Sequence, residues 1–224
     1  MRPFSTQAII LRRTNYGEAD RVLSLLTPER GKISAIAKGV RKPKSKLAGG
    51  LELFALCEIT LIEGRGDLAL VTSARLKEFW GNILTDYGRM QCAYETIKRI
   101  NQATETVGEP EFFYLLRDSL GWLNTLAFDW RLSELVFCLR LSQLLGRGLN
   151  LLTDQAGQKL VADGRYHYDF TENVFYADDH GRFTSEHIKL LRLASVKNPD
   201  ILRQVSGVEP VIDDCLWLVR TAEH

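Results

Sequence analysis

Residues 21–38, RVLSLLTPERGKISAIAK, decide how this chain reads. Arg21 to Thr27 is β-compatible, and Pro28-Glu29-Arg30-Gly31 sets Pro and Gly where a hairpin turn wants them. Lys32 to Lys38 then alternates, with Ile33, Ala35 and Ala37 on one face and Lys32, Ser34, Ile36 and Lys38 on the other. The neighbouring segments extend the pattern both ways. Upstream, a first strand lies within Phe4 to Arg13 around the apolar run Ala8 to Leu11, followed by the turn-rich loop Thr14 to Asp20, TNYGEAD. Downstream, Ala55 to Glu63 sets Cys57, Ile59 and Leu61 against Glu58, Thr60 and Ile62. A tight turn, Gly64-Arg65-Gly66-Asp67, leads into a fifth strand, Leu68 to Arg75. Five short strands joined by tight turns and one long loop predict a small Greek-key barrel of the OB type, and an SH3-like barrel would read almost the same.

The long loop, Gly39 to Gly50, carries the charge. Between Arg30 and Lys46 stand seven basic side chains (Arg30, Lys32, Lys38, Arg41, Lys42, Lys44, Lys46) and no acidic one, in a chain of net charge +1. An oligonucleotide on an OB barrel crosses the face of strands 2 and 3 and the loops after strands 1 and 4. Here those places hold Lys32 and Lys38, the loop containing Tyr16, and the turn containing Arg65, with Arg13 at the end of the first strand. Cations neutralise phosphates and release counterions, and a flat aromatic beside them gives bases a surface to stack on. Tyr16 and Phe54 are the stacking candidates, although LELFAL around Phe54 also reads as the buried start of a strand. Lys32 and Lys38 are expected on a sheet face that holds a strand in place. Arg41, Lys42, Lys44 and Lys46 are expected to form a flexible arm that adds affinity without sequence preference. The plainer alternative is a solvated loop whose charges aid solubility.

Composition agrees with a division of labour. Residues 1–79 hold 14 Lys and Arg against 8 Asp and Glu, a net of +6, whereas residues 80–224 hold 15 against 20, a net of −5. A basic module joined to an acidic one is the asymmetry expected when the first touches nucleic acid. With 45% hydrophobic and 25% charged residues the chain reads as an ordinary globular protein. Cys57, Cys92, Cys138 and Cys215 are scattered through apolar patterns without metal-ligand spacing, as in a reduced, cytoplasmic protein. The start of the chain has too short an apolar run for a signal peptide, and no stretch is long and apolar enough for a membrane span.

From Trp80 the period changes. Ile83, Tyr87, Met90, Tyr94 and Ile97 recur at helical steps, giving an amphipathic helix to about Gln102. Glu109-Pro110 opens a second helix, and Asp129 caps a third, apolar on most of its circumference and ending at Gly146-Arg147-Gly148, which is expected at the centre of a helical bundle. In the irregular segment 149–183, Tyr166 to Phe170 and Asn173 to Ala177 form the two arms of a small hairpin. Helices resume after Thr184, Asn198-Pro199 and Glu209-Pro210. The chain therefore reads as α+β, an OB barrel over 1–79 and a helical domain over 80–224 with the third helix, 129–148, central.

Catalysis fares poorly. Asp178-Asp179 with His180 and His167 could be drawn as a metal site, but adjacent aspartates in a strand point to opposite faces. Asp213-Asp214 fits a favourable interaction with a helix dipole, and His187 reads as a surface or capping residue. Neither GxSxG, HExxH nor a phosphate-binding glycine loop with lysine occurs.

The stretch Ala8 to Leu76 closely resembles the N-terminal domain of bacterial recombination mediators of the RecO family. The matching features are Tyr16-Gly17-Glu18-x-Asp20, Thr27-Pro28 with Gly31-Lys32, Ala37-Lys38-Gly39, Leu51 to Phe54, and the Gly64-Arg65-Gly66 turn. The C-terminal part matches more weakly, through Leu145-Gly146-x-Gly148-Leu149-Asn150. The resemblance implies an OB domain followed by a helical one and a non-enzymatic role in recombinational repair. That role comprises binding single- and double-stranded DNA, annealing complementary strands, and helping RecA displace single-strand-binding protein together with RecR, in the cytoplasm at the nucleoid. Many members carry a four-cysteine zinc module after the third helix. This chain has no cysteine between Cys138 and Cys215, resembles the zinc-free branch, and is expected to hold no metal or other cofactor. The family's Phe-Glu pair in the third helix is Phe137-Cys138 here, so no contact for single-strand-binding protein is carried over. Glu18 and Asp20 are read as structural, pairing with Arg21. The readings from other classes are a protein-interaction adaptor working through the helical domain and an OB-fold RNA-binding factor.

Overall fold

A computed structural model describes residues 2–64, 66, 68–105, 108–161 and 163–222. The chain divides into two compact units, Met1–Asn124 and Thr125–His224. In the first, β1 (Phe4–Tyr16), β2 (Asp20–Thr27), β3 (Gly31–Ala37), β4 (Ala55–Ile62) and β5 (Leu68–Phe79) close a barrel in the order β1-β2-β3-β5-β4, with β1 returning to β4. Every pairing is antiparallel except β3 with β5, which run parallel from Ser34↔Leu68 to Ile36↔Leu70. That parallel closure is the Greek-key crossing of an OB barrel, and consecutive antiparallel hairpins alone would not make it.

Alternation fills the interior. Ala8, Ile10, Leu23, Leu25, Ala35, Ala37, Cys57, Ile59, Leu61 and Val71 form one buried cluster, as the period of two requires. A bulge between Ile10 and Arg12 interrupts β1, so Arg12 pairs with Ser24 and Arg13 with Leu23. Because cross-strand partners share a face, Arg12 points outward with Ser24 and Arg13 inward with Leu23.

The first unit does not end with the barrel. α1 (Tyr87–Ala103), capped by Asp86 accepting from the Arg89 N–H, and α2 (Pro110–Asn124), with Pro at its first position, contact β1 and β2. Ile9, Leu26 and Leu56 are buried although they lie outside the barrel cluster. The change of period at residue 80 marks the end of the barrel, and the compact unit runs on to Asn124.

In the second unit α3 (Trp130–Leu144) is capped by Asp129, which accepts from the Arg131 N–H, and is buried continuously from Leu132 to Leu139. It contacts α4 (Ser185–Val196), α5 (Pro199–Leu202) and α6 (Ile212–Thr221), the central place its apolar circumference predicts. The expected hairpin is present as β6 (Arg165–Asp169) and β7 (Val174–Ala177), and β8 (Phe183–Thr184) adds a third strand beside β6 that the two-residue pattern did not reveal. His187, expected at the surface or as a cap, is a buried cap: its ring accepts the Thr184 N–H at the start of α4. Among the described residues no helix is long and apolar enough to cross a membrane, and no three His, Cys, Asp or Glu side chains gather as metal ligands would.

Candidate nucleic-acid interface

The outward face of the barrel near the exits of β1 and β3 is assembled by register. Arg12, Thr14 and Tyr16 line up on β1 with Ser24, Val22 and Asp20 on β2, and Ser24 and Val22 with Ser34 and Ile36 on β3. Arg12, Thr14, Tyr16 and Ser34 are exposed, and Lys38 follows just past the end of β3. Tyr16 is 61% exposed, a flat ring offered to solvent. Arg12 makes no hydrogen bond or ion pair through its side chain among the described residues. At the other end of this face Leu26 is buried, and its cross-strand partner Lys32 reaches α1.

The basic loop is not the flexible arm that its Gly and Lys content predicts. Val40 and Leu51 are buried in the barrel cluster, and Leu47 and Leu53 pack against it, so the loop plugs the mouth of the barrel. Burial of these aliphatic side chains, up to about 1.5–3 kcal/mol each when complete, offsets part of the entropy of ordering the segment. Successive turns carry the chain between these anchors, with the Lys42 N–H donating to Gly39 O and the Ser45 N–H to Lys42 O. The return requires glycine at position 50, where a Cβ would lie 2.5 Å from the carbonyl oxygen of Ala74. With the apolar side chains turned in, Lys38, Arg41, Lys42, Lys44 and Lys46 are turned out and exposed. The four lysines make no side-chain hydrogen bond or ion pair among the described residues, whereas Arg41 donates from Nη1 to Gly17 O at 3.1 Å.

The remaining sequence candidates are placed differently. Arg13 turns inward at the barrel mouth and donates to Glu52 at 2.8 Å, which neutralises its charge within the protein. Lys32 faces outward as expected, but its ammonium donates to the Asn101 carbonyl at 3.0 Å in the last turn of α1, with Glu105 at 3.9 Å. A cation at a helix C-terminus is stabilising there, and this one is taken up by it. Phe54 is no stacking platform: it is buried, meets Tyr94 edge-on at 5.0 Å between ring centroids, and holds φ at +55°. Arg65 lies outside the described residues. Asp20 is structural, as expected, but its partner is the Gly39 N–H at 2.7 Å, and Arg21 donates instead to Asn15 at 3.1 Å. Register thus sets Arg12 and Tyr16 on one outward face with Lys38 just past its end, and the bonds of Arg41 to Ala19 and Gly17 bring the root of the basic loop to the turn after Tyr16. Arg12 is the residue that sequence periodicity missed, since unbroken alternation from Ile10 would turn Arg12 in and Arg13 out.

Such a surface suits a polyanion: cations without side-chain ion pairs among the described residues beside an exposed aromatic ring, with the Glu52 carboxylate paired to Arg13. Residues 1–80 match the family described as "Recombination protein O N terminal". The chain is 39% identical over 146 residues to a "DNA repair protein RecO" of Heliobacterium modesticaldum, covering 65% of this chain and 52% of that one. It is 41% identical over 122 residues to the protein of the same name from Dehalococcoides mccartyi strain 195, covering 54% and 48%. The chain therefore spans about half the length of these curated relatives.

Proposed function

We propose that this chain, which belongs to the RecO family through its N-terminal 80 residues and its curated relatives, serves recombinational DNA repair by binding single- and double-stranded DNA and annealing complementary strands. The observation that carries the reading is the set Lys38, Lys42, Lys44 and Lys46, exposed and without side-chain partners among the described residues, on a loop whose root is hydrogen-bonded to the turn that follows the exposed Tyr16. Two strands approaching one another repel through their phosphates, and cations on a plugged, shallow surface lower that repulsion while leaving base edges free to pair. No covalent step is required, so the role is that of a mediator and not of an enzyme. The family resemblance adds RecR and single-strand-binding protein as partners and RecA as the recombinase that gains access to the strand.

Salt-dependent titration of the full chain with single- and double-stranded DNA, followed by an annealing assay, tests this reading. The wild type is expected to lose affinity steeply with salt, by a slope of about 0.9 per phosphate neutralised on duplex. Changing Lys42, Lys44 and Lys46 together to Glu is expected to flatten that slope and abolish annealing. A salt slope near zero in the wild type, or a reversed-charge loop that binds and anneals as before, overturns it. Tighter binding to RNA than to DNA of equal length would move the assignment to an RNA-binding factor.

A further inference from the structure

Three bonds join the loop between β1 and β2 to the root of the basic loop. The Asp20 carboxylate accepts the Gly39 N–H at 2.7 Å, the Arg41 N–H donates to Ala19 O at 2.9 Å, and Arg41 Nη1 donates to Gly17 O at 3.1 Å. Gly39, with φ at +64°, is where the chain leaves β3 and turns. Tyr16 is the last residue of β1 and directly opposes Asp20. The aromatic ring and the lysines are therefore held on one clasp. A carboxylate inside a phosphate-binding footprint opposes binding by its charge, and Asp20 stands among Lys38, Arg41 and Lys42 without forming an ion pair with any of them. It is aimed instead at backbone. We propose that Asp20 is a positioning residue for polyanion binding: by fixing Gly39 it holds the lysine loop in register with Tyr16, so that one strand meets ring and cations together. The inference rests on the nucleic-acid reading above.

The adverse charge and the positioning bond have opposite signs and are separable. Asp20→Asn keeps an oxygen that accepts the Gly39 N–H and removes the charge. Asp20→Ala removes both, and Asp20→Ser leaves an acceptor too short to reach well. Binding of the full chain to oligo-dT is measured by fluorescence anisotropy across a salt series, with thermal melts confirming that each variant is folded. Asp20→Asn is expected to bind as tightly as wild type or about twofold tighter at low salt. Asp20→Ala is expected to bind about tenfold more weakly, with Asp20→Ser between the two.

A double-mutant cycle gives the readout that a merely structural role would not move. Tyr16→Ala and the triple change of Lys42, Lys44 and Lys46 to Ala are expected to be coupled in wild type and in Asp20→Asn, and additive in Asp20→Ala. If Asp20→Ala and Asp20→Asn both tighten binding, or if the coupling survives Asp20→Ala, the residue is only an adverse charge and the positioning role is overturned while DNA binding stands. A wild type without salt-dependent binding overturns the nucleic-acid reading, and the positioning role with it. Should Asp20→Ala not fold, Asp20→Ser against Asp20→Asn carries the same comparison.

Discussion

Arg13 donates to the carboxylate of Glu52 at 2.8 Å, on the inward side of a strand whose preceding residue, Arg12, points out to solvent. One bulge thus assigns two adjacent arginines to different tasks. Arg12→Glu is expected to weaken DNA binding about tenfold at low salt and to lower the salt slope by about 1 to 2, because one phosphate contact is lost and a repulsion gained. Arg13→Gln is expected to leave the slope unchanged and to lower the melting temperature by a few degrees at most, since a half-exposed pair is worth about 0.2–1 kcal/mol. Anisotropy titrations and thermal melts on both variants read the two effects separately, and a flattened slope with Arg13→Gln would contradict the assignment.

How far the sequence foretells this surface depends on the range of the interaction. Period-two alternation places Ile33, Ala35 and Ala37 inside and Lys32 and Ser34 outside, and the barrel follows from such strands. A bulge at Leu11 leaves no trace in that pattern, so the exchange of Arg12 and Arg13 emerges only with the β1–β2 register. Val40 and Leu47, seven positions apart, are too sparse to form a period, and the loop they anchor reads as flexible until the open mouth of the barrel supplies their partner. The Lys32 contact with Asn101 and the Asp20 contact with Gly39 join segments distant in sequence, which local propensity does not address. The caps Asp86, Asp129 and Thr184, by contrast, act within three residues, and Asp129 is already read as a cap in the sequence.

Tyr16 tests whether bases are contacted as well as phosphates. Tyr16→Ala is expected to cost about 1–3 kcal/mol in binding single-stranded DNA with the salt slope unchanged, and Tyr16→Phe to retain most of the affinity. Duplex DNA, whose bases are already stacked on one another, is expected to show a much smaller loss. Equal losses on single strand and duplex would argue that the ring serves the protein and not the ligand.

His187 makes the second unit sensitive to acid. Its Nδ1 accepts the Thr184 N–H at 3.1 Å, so that nitrogen carries no proton, while Nε2 faces Asp214 at 3.3 Å. Burial holds the imidazole below its ordinary value, and the positive charges of Arg182 and Arg165 act in the same direction, against the opposing pull of Asp214. The unfolded chain, with an ordinary histidine near 6.5, therefore takes up the proton first. Stability is full above about pH 6.5 and is lost as the pH falls through the lower folded value. Burial raises the pKa of Asp214, but the hydrogen bonds and charges of Arg182 and His187 together lower it overall, so its loss comes only below its ordinary value of 3.8. Thermal melts between about pH 7.5 and 5 are expected to show a falling midpoint in wild type and a flatter profile in His187→Gln. A wild type that gains stability on acidification through this window would refute the assignment.

Glu134 and Arg220 join α3 to α6 by a two-pronged pair, Nε to Oε1 at 2.7 Å and Nη2 to Oε2 at 2.6 Å. The two partners are not equivalent. The Glu134 side chain is 10% exposed, whereas that of Arg220 is 46% exposed and reaches water. Removing the arginine leaves a carboxylate in a poorly solvated place, while neutralising the glutamate leaves a guanidinium that solvent can satisfy. Arg220→Met, which retains the apolar stem, is expected to destabilise the second unit by about 1–3 kcal/mol, more than Glu134→Gln, and the double variant is expected to recover part of that loss. Thermal denaturation followed by tryptophan fluorescence ranks the three. An order in which Glu134→Gln is the more damaging would mean that the pair's hydrogen-bond geometry, and not the burial of an unpaired charge, sets its contribution.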